Sequence, residues 1–174
     1  VALPHHAPAA PPAPLVISIG LAFWLSSIVA RSRRPDSRMG LLLDVTGIFA
    51  FLVLLPVSHD AYLFTLGLAL NSVVFAAMVH VLLAYPTGTL AQTDRKLVAI
   101  AYALAIGAPP LSMLFSADPA RCGPECPRNV LYLTHSPGTE SAVTHGAQIG
   151  AAVLLVAVAV VLVRRWRSAS PAYR

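Results

Sequence analysis

The amino-acid sequence predicts an all-α fold, a polytopic transmembrane helical bundle of about five spans with one longer extracytoplasmic loop. Of its 174 residues 57% are hydrophobic and only 11% are charged, too few charges to cover a water-soluble globule of this size. The mean hydropathy is +0.73. The apolar residues fall into five long runs, and the basic residues cluster at the ends of these runs. Lipid is therefore the solvent that this composition favours.

The five apolar runs follow one another with short connections. The first is short for a span, but flanking arginines that reach the interface extend it. The third has 24 residues, which at ~1.5 Å per residue make about 36 Å of helix. In the fourth we expect a kink or a break at Pro109 and Pro110. The runs are far longer than the ~10-residue strands of a membrane barrel, so each is predicted to be a helix. The predicted spans cover about 15–30, 39–57, 62–85, 97–116 and 141–163.

The remaining segments are assigned from their composition. Residues 1–14 lack a positively charged start, so they are not a signal peptide, and their Pro/Ala-rich sequence predicts an extended extracytoplasmic segment. Residues 15–167 form the predicted transmembrane sensor domain, and 168–174 begin a cytoplasmic linker. Because the chain starts at Val1 and stops just after a basic stretch, we expect it to be a piece of a longer protein.

The distribution of Lys and Arg predicts the orientation in the plasma membrane. In a five-span arrangement Arg121 and Arg128 lie on one side, and the other ten basic residues share the opposite side. The positive-inside rule places these ten in the cytoplasm, so the amino terminus lies outside and the carboxyl terminus inside. The basic residues behind the net charge of +5 then determine the orientation of the spans. We therefore expect a lipid bilayer rather than nucleic acid as the partner. The ten residues are Arg31, Arg33, Arg34, Arg38, Arg95, Lys96, Arg164, Arg165, Arg167 and Arg174.

Two polar residues lie inside the second and third spans, where lipid makes such groups costly. Asp44 and His80 are each a few residues from the cytoplasmic end of their span. Because the two spans are antiparallel neighbours, both side chains are predicted at comparable depth, and we expect them to pair. Such a pair would fasten the helices together, or His80 would titrate as a proton-linked switch.

The predicted outer loop, 117–140, carries both cysteines of the chain, Cys122 and Cys126, in the sequence CGPEC. In an oxidising compartment the two thiols could form a small disulfide loop, which is the reading we favour. Free or redox-sensing thiols and a metal site remain as alternatives, although C-x3-C is not the usual spacing of zinc ligands.

Five of the six histidines are predicted to lie outside, among them His59, His135 and His145. Together with the two cysteines they are candidate ligands of an extracytoplasmic metal, or candidate sensors of acidity. Solvated loop histidines are the simpler interpretation. No glycine-rich phosphate loop, H-E-x-x-H motif or nucleophile elbow occurs, so no catalytic residue and no cofactor site is assigned to this segment.

Three stretches, in order, resemble the membrane-embedded amino-terminal input region of actinobacterial two-component sensor histidine kinases. RSRRPDSRMGLLL at 31–43 is similar to that family's basic-Pro hinge and Gly-Leu-Leu helix start. VHVLLAYPTGTL at 79–90 is similar to the family's His-aliphatic-aromatic-Pro-x-Gly-x-Leu ending, with Thr89 where Arg is common. CGPECPRNVLYL at 122–133 is similar to a Cys-Pro-x-Asn-apolar element, with Val130 where Pro is frequent.

The resemblance implies a membrane sensing and anchoring domain that passes a stimulus by helix repacking to a cytoplasmic kinase outside this segment. It also implies a homodimer, a response regulator as partner of the kinase part, and ATP and Mg²⁺ bound there, since the full-length protein would be an ATP-dependent protein histidine kinase. Two alternatives stay open at this point. One is a transporter or channel fragment, and the other is a membrane anchor or assembly subunit without a signalling role.

Overall fold

The computed structural model describes residues 13–119 and 127–169 of the chain. This part is all helical, and no strand occurs in it. Residues 13–119 and 127–169 form six α-helices, with a short 3-10 turn between the second and third. In chain order they are α1 (Ala13–Arg33), α2 (Met39–Leu52), the 3-10 turn (Leu55–Val57), α3 (Ala61–Leu70), α4 (Val73–Ala84), α5 (Gln92–Met113) and α6 (Pro137–Ala169).

These elements make five stretches that are long and apolar enough to cross a membrane, which confirms the predicted fold class. The 3-10 turn completes the second stretch, and α3 and α4 together form the third, interrupted only at Asn71 and Ser72. The fourth stretch is α5, which continues through both prolines, so the predicted break is absent there. Pro109 and Pro110 lie within the last five residues of α5, so each removes one intrahelical donor close to the end of the helix.

Local sequence explains where α3 begins and how the chain continues after α4. Asp60 caps the start of α3, because its Oδ1 atom accepts hydrogen bonds of 2.9 Å from the backbone N–H groups of Tyr62 and Leu63. After α4, Gly88 adopts a positive φ of 77°, and its backbone N–H donates to Ala84 O at 2.8 Å. A residue with a side chain would be strained at this φ, so the glycine allows the chain to leave α4.

The packing order of the helices differs from their order in the chain. α1 packs against α2, α2 against α4, and α5 lies between the α3–α4 pair and α6. The buried core lies where α4, α5 and α6 meet, and it consists of Ala, Val and Leu side chains, of which the alanines allow close approach of helices in lipid. Many large apolar side chains on the outer surfaces are exposed, as expected for faces that contact acyl chains. The core residues are Val73, Ala76, Val79, Leu83, Val98, Ala101, Ala105, Leu154 and Val158.

The α1–α2 and α4–α5 connections contact each other at one end of the bundle. The Ser37 hydroxyl donates a 3.0 Å hydrogen bond to Thr87 O. Gly88 lies so close to the start of α2 that an added Cβ would come within 2.5 Å of Met39 N. The two connections therefore share one end of the molecule, as the five-span prediction requires. We call it the basic end, because Arg34 and Arg38 lie in the first connection and Arg95 and Lys96 near the start of α5.

Candidate functional site

The basic end contains a cluster that joins three helices, and we define it by Leu83, Asp94 and Arg165. Asp94 lies in the first turn of α5, Leu83 in the last turn of α4, and Arg165 near the end of α6. Arg165 forms an ion pair with Asp94 through Nη2, and its Nη1 atom donates a 2.8 Å hydrogen bond to Leu83 O. One guanidinium group thus fastens α6 to both of its neighbours.

The surroundings of this cluster make the ion pair a costly one to break. The Asp94 side chain is only 4% exposed, and that of Arg165 is 39% exposed. A carboxylate so removed from solvent requires a charged partner, and the partial positive charge at the α5 amino terminus also favours it. Leu83 O is one of the last four carbonyls of α4, which have no partner within their own helix. Arg165 satisfies both groups, so the cluster holds the α4, α5 and α6 ends in one arrangement.

The second ion pair of the described residues joins α1 to α2. It involves Asp44, for which a pair with His80 is predicted from the sequence. Arg31 Nη2 contacts Asp44 Oδ2. The structure does not bring Asp44 and His80 together in a hydrogen bond or an ion pair. The physical reason is that the Asp44 carboxylate has a permanently charged guanidinium group within reach, that of Arg31 on the neighbouring helix α1. The predicted intramembrane pair is thus replaced by an Arg31–Asp44 pair near the basic end.

His80 makes an aromatic contact with α5. Its ring meets that of Tyr102 in an edge-to-face arrangement, with centroids 6.1 Å apart and an interplanar angle of 87°. Such aromatic pairs contribute packing energy and orientation. His80 is half-buried at this contact. This contact joins α4 to α5, whereas the predicted pair was to join the second and third spans.

At the opposite end of the bundle the segment before α6 is held by Asn129. This side chain is buried, and its amide nitrogen donates to Met113 O at 2.7 Å and to Ser116 O at 2.8 Å. Its amide oxygen accepts from the backbone N–H of Leu131 at 3.0 Å. The backbone N–H of Val130 donates to the Thr65 hydroxyl at 3.2 Å. The segment is thus attached to the middle of α3 and to the end of α5, and it fixes the position from which α6 starts.

The candidate ligands at this end do not form a site within the described residues. His59, His135 and His145 are exposed, and the His145 ring bonds only to Ser141 of its own helix, at 2.7 Å to the carbonyl. No group of three or more His, Cys, Asp or Glu side chains suited to a metal ion occurs in 13–119 and 127–169. Cys122 and Cys126 lie outside the described residues, so the disulfide remains a prediction.

Sequence reasoning missed Asp94, Arg165 as its partner, and Asn129. Asp94 belongs to a polar run, QTDRK, that lies mostly between the third and fourth predicted spans. One signal was available, since α5 begins and α6 ends on the same side of a five-span bundle, which makes an acid–Arg pair between them feasible. Asn129 carried a weaker signal, because it belongs to the Cys-Pro-x-Asn element on which the resemblance partly rests.

The arrangement of these residues suits the mechanical coupling of helices, because each polar contact joins separate elements. Asn129 positions the start of α6, and Arg165 fastens the other end of α6 to α4 and α5. Comparisons with known proteins assign neither contact a role. A scan against family models finds no match, and the searches of curated proteins and of solved structures find no similar protein.

Proposed function

We propose that this chain is the membrane input and anchoring domain of a two-component sensor histidine kinase. In this proposal it lies in the plasma membrane with its amino terminus outside and its carboxyl terminus in the cytoplasm. It passes a stimulus by helix repacking to a kinase part that lies beyond this segment. The kinase part would bind ATP and Mg²⁺, act as a homodimer and phosphorylate a response regulator.

The observation that carries the proposal is the continuity of α6. It is a single helix of 33 residues, about 50 Å long at ~1.5 Å per residue. The hydrocarbon core of a bilayer is only about 30 Å thick. A helix of this length reaches beyond the core and can transmit a displacement from one side to the other without a joint.

The polar contacts of α6 support the proposal further. Its outer start follows the segment that Asn129 attaches to α5, and its basic end is held by Asp94 and Leu83 O. A change of packing at either end would therefore act on the other through one rigid element. A stimulus shifts such an equilibrium only if it binds one packing better than the other.

The direct test is autophosphorylation of the full-length gene product in isolated membranes with radiolabelled ATP and Mg²⁺. We expect labelled phosphate that is labile in acid and stable in base, as phosphohistidine is. Arg165→Gln removes the α6 contacts, so it should change the rate of labelling by about fivefold or more, in the range of allosteric coupling energies.

Arg164→Gln is the matched control, because the neighbouring Arg164 is exposed and forms no ion pair with another described residue. This variant should label at the wild-type rate. Wild-type membranes without any phosphohistidine would refute the kinase proposal. Equal labelling of wild type and Arg165→Gln would refute the transmission through α6.

A further inference from the structure

A groove of about 520 Å³ opens on the surface of the bundle at its basic end. One wall is a single face of the last turns of α1, and the opposite wall is formed by the start of α2 and the residues after α4. We call it the basic-end groove. Its lining residues are Leu25, Ser26, Val29, Ala30, Arg33, Arg34, Ser37, Met39, Tyr85 and Pro86.

The groove is apolar along its length and cationic at one end. Leu25, Val29 and Arg33 follow one another at spacings of four residues, so they form one row along α1. Eight residues separate the first from the last, which is about 12 Å of helix. An apolar surface thus runs from within the predicted span to the level of Arg33 and Arg34.

The two arginines at this end are available to a ligand. Both are exposed, and neither forms an ion pair with another described residue, in contrast to Arg31, which contacts Asp44. No Asp or Glu lines the groove. The carboxyl end of a helix carries partial negative charge, so attraction of an anion there depends on the guanidinium groups and not on the backbone.

We propose that the basic-end groove binds one anionic glycerophospholipid. The phosphate lies between Arg33 and Arg34, and its oxygens accept bidentate hydrogen bonds from the two guanidinium groups. An acyl chain follows the row of Val29 and Leu25 into the bilayer. The combination of a cationic mouth with an apolar wall at membrane depth fits a lipid, whereas a free phosphate ion would use the mouth alone.

The test uses the whole chain purified in mild detergent and native mass spectrometry with added lipid. The probes are an anionic phosphatidylglycerol and a zwitterionic phosphatidylcholine with the same acyl chains. We expect one molecule of the anionic lipid to stay bound at concentrations where the zwitterionic lipid does not. Arg33→Gln/Arg34→Gln should weaken binding of the anionic lipid roughly ten- to thirtyfold, as expected for the loss of two charges near a membrane surface.

A second variant tests the apolar wall. Val29→Trp fills the groove from an exposed position, so it should reduce lipid binding without disturbing the buried core. The matched controls are Arg95→Gln/Lys96→Gln, which removes two exposed charges elsewhere at the basic end, and Val153→Trp on the exposed surface of α6. Both controls should bind the anionic lipid as the wild type does. Thermal unfolding of each variant shows whether it is folded.

Three results would overturn the proposal. The first is equal retention of the anionic and the zwitterionic lipid. The second is unchanged binding in the folded double arginine variant or in Val29→Trp. The third is displacement of the lipid by inorganic phosphate at millimolar concentration, which would indicate an anion site without a lipid chain.

Discussion

At the scale of single residues, the two ion pairs of the described residues differ in their surroundings. Asp94 is almost fully removed from solvent, with a side-chain exposure of 4%, whereas Asp44 retains 24% and its partner Arg31 retains 52%. Exposed pairs contribute little because solvent screens the charges, whereas loss of one partner from a buried pair leaves an uncompensated charge. The two pairs should therefore respond differently to the same substitution.

We expect Asp94→Ala to lower the free energy of unfolding by about 2–4 kcal/mol, because it leaves Arg165 without its counter-charge. This range lies below the cost for a fully buried pair, since the Arg165 side chain is 39% exposed. Asp44→Ala, the matched control, should cost at most about 1 kcal/mol. Unfolding of both variants in mixed detergent micelles, followed by circular dichroism, gives the comparison. Equal losses would contradict the assignment of Asp94 as the buried partner.

Pairing between individual residues was the least predictable feature of the chain. The sequence indicated that Asp44 lies in a span and needs a partner, but both α1 and α4 pack against α2. The choice between Arg31 and His80 depends on the rotation of each helix about its axis, which hydropathy does not determine. Asp94 is hard to identify for a related reason, since it becomes buried only where the ends of α4, α5 and α6 meet and Arg165 packs against it.

At the scale of elements, the 3-10 turn and α3 approach each other very closely at Gly67. A Cβ atom added there would lie 2.5 Å from Pro56 Cδ and 2.7 Å from both Leu55 Cβ and Pro56 N. Two of these three atoms belong to the proline ring, so the neighbour cannot move aside by a change of rotamer. The close approach fixes how the second stretch turns back into the third.

Gly67→Ala should accordingly destabilise the protein by about 1–3 kcal/mol, as overpacking of a tight contact does. Gly107→Ala is the control, because an added Cβ at this position of α5 meets nothing within 4 Å. Alanine favours a helix over glycine by about 0.5–1 kcal/mol, so the control should be neutral or slightly more stable. The midpoint of thermal unfolding in detergent measures both. A stable Gly67→Ala variant would show that the 3-10 turn can move away from α3.

The elements themselves were largely predictable, because apolar length is a direct consequence of the bilayer. The third predicted span, 62–85, corresponds to the stretch Ala61–Ala84, and the second, 39–57, to Met39–Val57. The helix α6 extends beyond the fifth predicted span, 141–163, by several residues at either end. Hydropathy marks the part of a helix that lies in lipid, whereas capping and packing decide where the helix ends.

At the scale of the whole molecule, Lys and Arg are concentrated at one end of the bundle and are few at the other. The α1–α2 and α4–α5 connections meet at the basic end through Ser37 and Thr87, and Arg165 of α6 joins Asp94 there. The opposite end holds the α2–α3 connection and the segment that Asn129 attaches to α5. The uneven distribution of charge between the two ends is the physical basis of the predicted orientation.

Cysteine labelling of intact cells tests this orientation. In a background with Cys122→Ser and Cys126→Ser, one exposed residue at a time is replaced by cysteine, and a membrane-impermeant maleimide is added. His59→Cys and His135→Cys, at the end with few Lys and Arg residues, should react in intact cells. Thr89→Cys and Ser168→Cys, at the basic end, should react only after lysis, because translocation of so many Lys and Arg side chains across the membrane is disfavoured. Labelling of Thr89→Cys in intact cells would show that the orientation is the reverse of the predicted one. The end of α6 would then lie outside, where a cytoplasmic kinase could not receive its movement.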